Sequence, residues 1–145
     1  MPSVFLRDVI TDDLPIFFEQ QLDPVANDIA GFPARDRDTF MAHWAKNLPK
    51  EGNIHQTIIY GDQVAGNIVS WEHDGEREIG YWLGHEFWGK GIATQALAAF
   101  LEIVTSRPLY AHVVKHNLAS MRVLEKCGFI RQSEEGDEVI LIRRE

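Results

Sequence analysis

The chain has almost no cysteine. Cys127 stands alone among 145 residues, which excludes an internal disulfide and any cysteine-built metal cluster. Its place on the apolar face of a helical stretch reads as a buried structural thiol rather than a nucleophile. A basic excess is also missing: the formal net charge is −8, whereas phosphate binding along a nucleic acid needs clustered Lys and Arg, so nucleic acid is not an expected partner. No apolar run approaches the roughly 20 residues that cross a bilayer, and Met1-Pro2-Ser3 does not open a basic-then-apolar leader, so the expected location is the cytoplasm with no membrane partner. His43, His55, His73, His85, His112 and His116 form no His-x-x-x-His pair, and no metal site is expected. Without a Gly-x-Ser-x-Gly elbow, a Ser-His-Asp hydrolase is not indicated either.

What remains is the composition of one soluble domain with one substantial core. Val4 to Val9 reads as a strand. Thr11 then caps a helix carrying Leu14, Phe17 and Phe18, and Asp23-Pro24 and Gly31-Phe32-Pro33 interrupt the helical region before Asp36 to Leu48 resumes it. Phe40, Met41, Trp44 and Leu48 lie on one helical stripe, which is more often core than pocket. Ile54 to Tyr60, Gln63 to Trp71 and Glu76 to Leu83 read as antiparallel strands joined at Gly61-Asp62 and Asp74-Gly75. A helix over 90–106, a strand over 109–114, a helix over 117–127 and a hairpin around Glu135-Gly136-Asp137 follow. Strands first and then a strand-helix-strand unit predict an α/β single domain over residues 1–145, a mixed, mostly antiparallel sheet flanked by helices in the order β-α-α-β-β-β-α-β-α-β-β.

Chemistry concentrates at Trp88-Gly89-Lys90-Gly91-Ile92-Ala93-Thr94. A loop that turns at two glycines and opens a helix aims several unpaired backbone N–H groups at one point, at the positive end of the helix dipole. Such a loop cradles an anion. It is not a Walker loop, because Lys90 is followed by Gly91 rather than a hydroxyl residue that could hold magnesium. A Rossmann fingerprint would place an acid about 20 residues on, where Arg107 and Pro108 stand instead. On its own, Gly-x-Gly is equally compatible with an ordinary glycine-rich turn.

A second element follows at Asn117 to Phe129, an Asn-started amphipathic helix that stops at Gly128. In order, the two segments resemble motifs A and B of the GNAT N-acetyltransferases, and in particular the RimJ/RimL-like branch that acetylates ribosomal-protein N-termini. Trp88, Gly91 and Ala93 occupy the fixed positions of motif A, Trp88 as a departure from the usual Gln or Arg. Glu78-Ile79-Gly80-Tyr81-Trp82 matches a segment of the same branch. The resemblance spans about residues 4–143, with its specific part at 78–129.

That resemblance implies the GNAT fold and an acetyl-CoA-dependent N-acetyltransferase working in a ternary complex on a primary amine, either a peptide N-terminus or a small amine. It implies a gap between the strand before motif A and the strand after its helix, where the backbone of Trp82 and Leu83 meets the pantetheine arm and an N–H near Leu83 faces the carbonyl oxygen. Loop residues Trp88 to Thr94, with Lys90 toward the phosphates, complete the cofactor set together with Asn117 and Ser120. An amine that is mostly protonated at neutral pH, with reference values of about 8 or about 10.4, must lose a proton before it attacks. Glu78, on the strand face shared by Gly80 and Trp82, is the candidate base, the alternative being a solvated edge charge. The family's acidic tyrosine position holds Leu124, so Ser120, one turn earlier, is the candidate proton donor, or else only a small polar residue in a helix's first turn. Trp82 reads as core or as pocket wall, and Asn117 as a helix cap, a cofactor contact or both. A non-catalytic acyl-CoA-sensing module is the alternative function. A homodimer and the acceptor's identity stay open.

Overall fold

The computed structural model describes residues 2–145, so the expectation at Met1 lies outside the described residues. Seven strands form one sheet in the order β1-β2-β3-β4-β5-β7-β6. They are β1 (Val4–Asp8), β2 (Ile54–Tyr60), β3 (Gln63–His73), β4 (Glu76–Leu83), β5 (Leu109–Val114), β6 (Ile130–Glu135) and β7 (Glu138–Arg143). Every neighbouring pair is antiparallel except β4 and β5. The helices are α1 (Leu14–Gln20), α2 (Pro24–Ala30), α3 (Arg37–Asn47), α4 (Ile92–Ile103) and α5 (Leu118–Lys126).

The expected architecture holds, with one helix more than the pattern gave. Asp23-Pro24 does not interrupt a helix but starts one: Asp23 accepts from the Val25 N–H as N-cap and Pro24 takes the first helical position, where its missing N–H costs nothing. Thr11 caps nothing. Residues Thr11–Asp13 form a short 3-10 turn without a side-chain cap, ahead of α1. α4 is shorter than expected because Gly91 is its left-handed N-cap and Val104 is already extended.

The sheet separates two apolar layers. On one face Ile79, Leu83, Leu109, Ala111, Val113, Val139 and Leu141 pack under α4 and α5 through Leu97, Phe100, Met121 and Leu124. On the other, Phe17, Phe18, Phe40 and Trp44 of α1 and α3 cover Val64 and Val69 of β3. Strand alternation therefore sends Glu78, Gly80 and Trp82 of β4 to the α1/α3 side, and Tyr81 with Ile79 and Leu83 to the α4/α5 side. Cys127 donates to the Thr94 carbonyl at 3.6 Å, and burial pushes its thiol up, which keeps it protonated and unreactive.

Candidate active site

The parallel ladder between β4 and β5 consists of two pairs, Arg77 with Leu109 and Glu78 with Tyr110. Beyond them the strands part, so Ile79 to Leu83 present a free backbone edge to a V-shaped gap. Which groups face it follows from alternation along the strand. The Gly84 N–H bonds back to Ala65 of β3 at 2.9 Å, so the backbone of Leu83 points the opposite way, and its carbonyl accepts from Trp88 Nε1 at 3.2 Å on the gap side. The Leu83 N–H shares that direction. Gly66 lets β3 come close enough to hold this edge: a Cβ there would lie 2.0 Å from the Trp82 carbonyl oxygen.

The loop before α4 has the geometry of the expected cradle. Gly89 and Gly91 take φ of +74° and +76°, values that L side chains reach only with strain. The first bond of α4 runs from Gln95 N–H to the Gly91 carbonyl, leaving the N–H groups of Ile92, Ala93 and Thr94 without intrahelical partners. A groove of about 360 Å³ runs along this loop and the β4 edge, lined by Trp82, Leu83, Trp88, Gly89, Gly91, Ile92, Ala93 and Thr94 and closed by Asn117, Ser120 and α2. Lys90 is exposed and does not line it. Trp88 stacks on His85 with centroids 4.1 Å apart, and His85 Nδ1 meets Asp23 Oδ2 at 2.6 Å, tying the loop to the start of α2. A narrow groove with free N–H groups at one end and an unpaired strand edge along its side suits an elongated ligand with a phosphate end and an amide-bearing arm.

A second cavity of about 560 Å³ opens on the α1/α3 face. Phe17, Phe32, Phe40, Trp44, Trp71 and Trp82 give it aromatic walls, and Glu72, Glu138 and His112 stand among them. Trp82 is the partition: its ring meets Phe32 edge-on with centroids 6.4 Å apart and its Nε1 donates to the Gln20 carbonyl at 3.1 Å. The aromatic stripe therefore serves as both core and wall. His43 and His55 also line the cavity, and burial pushes both imidazoles below the usual range, so they are neutral at pH 7. The two cavities share Ala30, Tyr81, Trp82, Asn117 and Ser120, and they meet beside the opening between β4 and β5.

At that junction Tyr81 Oη donates to Ser120 Oγ at 3.1 Å. The Ser120 N–H is bonded to Asn117 Oδ1 at 3.2 Å, so Asn117 caps α5 while lining both cavities. Burial pushes the Tyr81 hydroxyl above the usual phenol range against the pull of Ser120, and Tyr81 keeps its proton. With Tyr81 donating into it, the Ser120 oxygen has its own hydrogen free to point elsewhere. Sequence reasoning passed over Tyr81. It lies inside the matched strand segment, but only the parting of β4 from β5 brings its hydroxyl to α5.

Glu78 lies below the cleft. It is buried, lines neither cavity, and its Oε1 is 3.6 Å from His112 Nε2. His112 Nδ1 in turn faces Glu138 Oε1 at 3.5 Å. No cluster of His, Cys, Asp and Glu able to hold a metal ion occurs among the described residues, and none of their helices is long and apolar enough to cross a membrane.

The chain is similar to known proteins in sequence and in fold. YdaF of Bacillus subtilis (strain 168), provisionally named a ribosomal N-acetyltransferase, is 30% identical over 109 residues, which are 70% of this chain and 59% of that protein. The chain thus spans less than two thirds of that relative. RimL, a ribosomal L7/L12 α-N-protein acetyltransferase solved with coenzyme A, superposes with a TM-score of 0.82 at 19% identity, over 98% of this chain and 94% of its own. The aminoglycoside acetyltransferase AAC(6')-Ib, also with coenzyme A, gives 0.82 at 22% identity, over 98% and 95%. Those two likenesses establish the fold. The profile of the acetyltransferase (GNAT) domain matches residues 3–130, and with the parted strands, the glycine cradle and the Asn117 helix all falling inside that match, the chain belongs to the GNAT domain family.

Proposed function

We propose that the protein is an acetyl-CoA-dependent N-acetyltransferase of the RimJ/RimL-like branch, acting in the cytoplasm on a primary amine. The observation that carries this reading is the junction of two cavities at the gap between β4 and β5, one suited to the cofactor and one to the acceptor. In the first, the N–H groups of Gly91 to Thr94 would hold the pyrophosphate, with Lys90 as an outer counter-charge, while the Trp82–Leu83 edge and Asn117 would hold the arm. Acetyl-CoA, when bound there, supplies an activated acetyl group whose C–S bond is exchanged for a C–N bond to the acceptor.

The chain's own residues set up that exchange. The Leu83 N–H, fixed by the strand before any ligand arrives, faces the position of the developing oxyanion. Ser120, its oxygen already accepting from Tyr81, offers its hydrogen toward the leaving sulfur. Glu78, buried behind His112, supplies negative charge beside the acceptor cavity, where the acceptor must lose its proton. Aromatic walls beside Glu72 and Glu138 suit an ammonium on an apolar body, whether a peptide N-terminus, as the ribosomal relatives suggest, or a small amine.

Calorimetric titration with acetyl-CoA, followed by thiol release with a panel of amines, tests the reading. Saturable binding with amine-dependent release, lost on Glu78→Gln, is the expected result. Binding without release for any amine would point to an acyl-CoA sensor, and no binding would sink the assignment.

A further inference from the structure

Three adjacent strands place a Glu-His-Glu row beside the acceptor cavity, two of its members in the cavity wall. Glu78 of β4, His112 of β5 and Glu138 of β7 all alternate to the face opposite the α4/α5 core, since their neighbours Ile79, Ala111, Val113 and Val139 belong to that core. His112 lies between the carboxylates, with Nε2 3.6 Å from Glu78 Oε1 and Nδ1 3.5 Å from Glu138 Oε1. His112 and Glu138 line the acceptor cavity and Glu78 does not. Among the described residues no other charged side chain comes within ion-pair distance of His112.

Resting on the transferase reading above, we infer that His112 is the catalytic base that receives the acceptor's proton, and that Glu78 and Glu138 are positioning residues on either side of it. The donor and acceptor inventory decides the roles. An ionised carboxylate only accepts, and a neutral imidazole has one N–H and one lone pair. Of the row, Glu78 is buried and lines neither cavity, so it cannot meet the acceptor's nitrogen, whereas the His112 ring lines the acceptor cavity with a carboxylate facing each of its nitrogens. An imidazole that takes up a proton there has an N–H directed at each carboxylate, Nε2 toward Glu78 and Nδ1 toward Glu138. The acceptor's ammonium supplies the proton: one N–H bond of the ammonium breaks, an N–H bond forms at the lone pair of the ring, the free amine keeps the electron pair, and the imidazolium is held by both carboxylates until water takes the proton. The cavity accordingly selects amines that arrive as cations.

The test uses the full chain with acetyl-CoA and four probes, namely tyramine, spermidine, kanamycin and a serine-started peptide, each followed by thiol release from pH 6 to 10. His112→Gln is expected to lower kcat/KM for the accepted amine by about 10²–10⁴-fold near neutral pH, with acetyl-CoA affinity unchanged. The loss is expected to shrink as pH rises and the amine arrives already deprotonated, a recovery that a structural role would not give. Glu138→Gln should raise KM for the cationic amine more than it lowers kcat. Wild-type rates and pH profile in His112→Gln overturn the inference while leaving the transferase reading intact, whereas no release by the wild-type chain with any probe counts against that reading itself. Should that variant fail to fold, His112→Asn decides: the same pH-dependent loss supports the inference, and wild-type rates and pH profile overturn it.

Discussion

Replacing Gly91 with alanine separates backbone strain from ligand exclusion. Gly91 holds φ of +76° as the N-cap of α4, and the nearest heavy atom to a Cβ built there is Gln95 Nε2 at 3.9 Å. Inside the protein the methyl group therefore meets no obstacle, and the stability cost is that of a left-handed L-residue, about 1–2 kcal/mol, or roughly 2–8 °C in Tm for a chain of this size. Gly91 lines the groove, so the methyl group takes up room beside the N–H groups that would approach an anion. Pushing the pyrophosphate off one backbone N–H forfeits a charge-assisted hydrogen bond of about 1.5–3 kcal/mol, which is roughly 10- to 100-fold in Kd. Gly136, in the β6–β7 turn, provides the matched control, with φ of +61°, nothing within 4 Å of a built Cβ and no part in either cavity. Gly91→Ala and Gly136→Ala should lose similar Tm in differential scanning calorimetry, and only the first should lose acetyl-CoA affinity in calorimetric titration. Equal affinities in the two variants would refute the cradle.

Tyr81→Phe removes the donor into Ser120 and should lower kcat by up to about tenfold, the worth of one neutral hydrogen bond, while Kd for acetyl-CoA stays within about twofold; a double variant with Ser120→Ala no slower than Ser120→Ala alone would confirm that the hydroxyls act as one unit. Gly66→Ala drives a Cβ to 2.0 Å from the Trp82 carbonyl oxygen and 3.0 Å from Leu83 Cα, so β4 must shift; a loss of about 1–3 kcal/mol is expected from overpacking, with weakened acetyl-CoA binding, and an unchanged Tm would contradict the packing described. Asp13 is buried but accepts from both guanidinium nitrogens of Arg7 at 2.8 Å, from Thr57 at 2.6 Å and from the Ile10 N–H at 3.0 Å. Burial raises its pKa, and these bonds together override that and hold it below the usual carboxylate range. Its stabilisation is therefore complete above the unfolded value of about 3.9 and is lost as pH falls through the lower folded value. Asp13→Asn should cost about 2–3 kcal/mol at pH 7, and its Tm deficit should narrow below about pH 4; a deficit constant with pH would exclude the charge as its source.

Much of the fold was legible because its signals are local. Strand alternation, the turns at Gly61 and Gly75, and the bounds of β2, β4 and β5 came out as read, since period-two patterning and turn chemistry act over a few residues. The helical entry at Asp23-Pro24 was misjudged as a break because the same dipeptide serves both purposes: proline forbids continuation of one helix and suits the first turn of the next. Glycine strain at Gly89 and Gly91 was likewise readable, as only backbone geometry in a short loop was at issue.

By itself the sequence determined the two motifs, the glycine turn that opens α4, the mixed α/β class and the face on which Glu78 lies. Tertiary structure alone decided what Glu78, Tyr81 and His112 touch. Tyr81 reaches Ser120 across 39 positions of chain, and His112 reaches Glu78 and Glu138 because β5 lies between β4 and β7. Such neighbours are set by a parallel crossover and by the return of β7 between β5 and β6, pairings that depend on the whole sheet closing over its core rather than on the character of any segment within it.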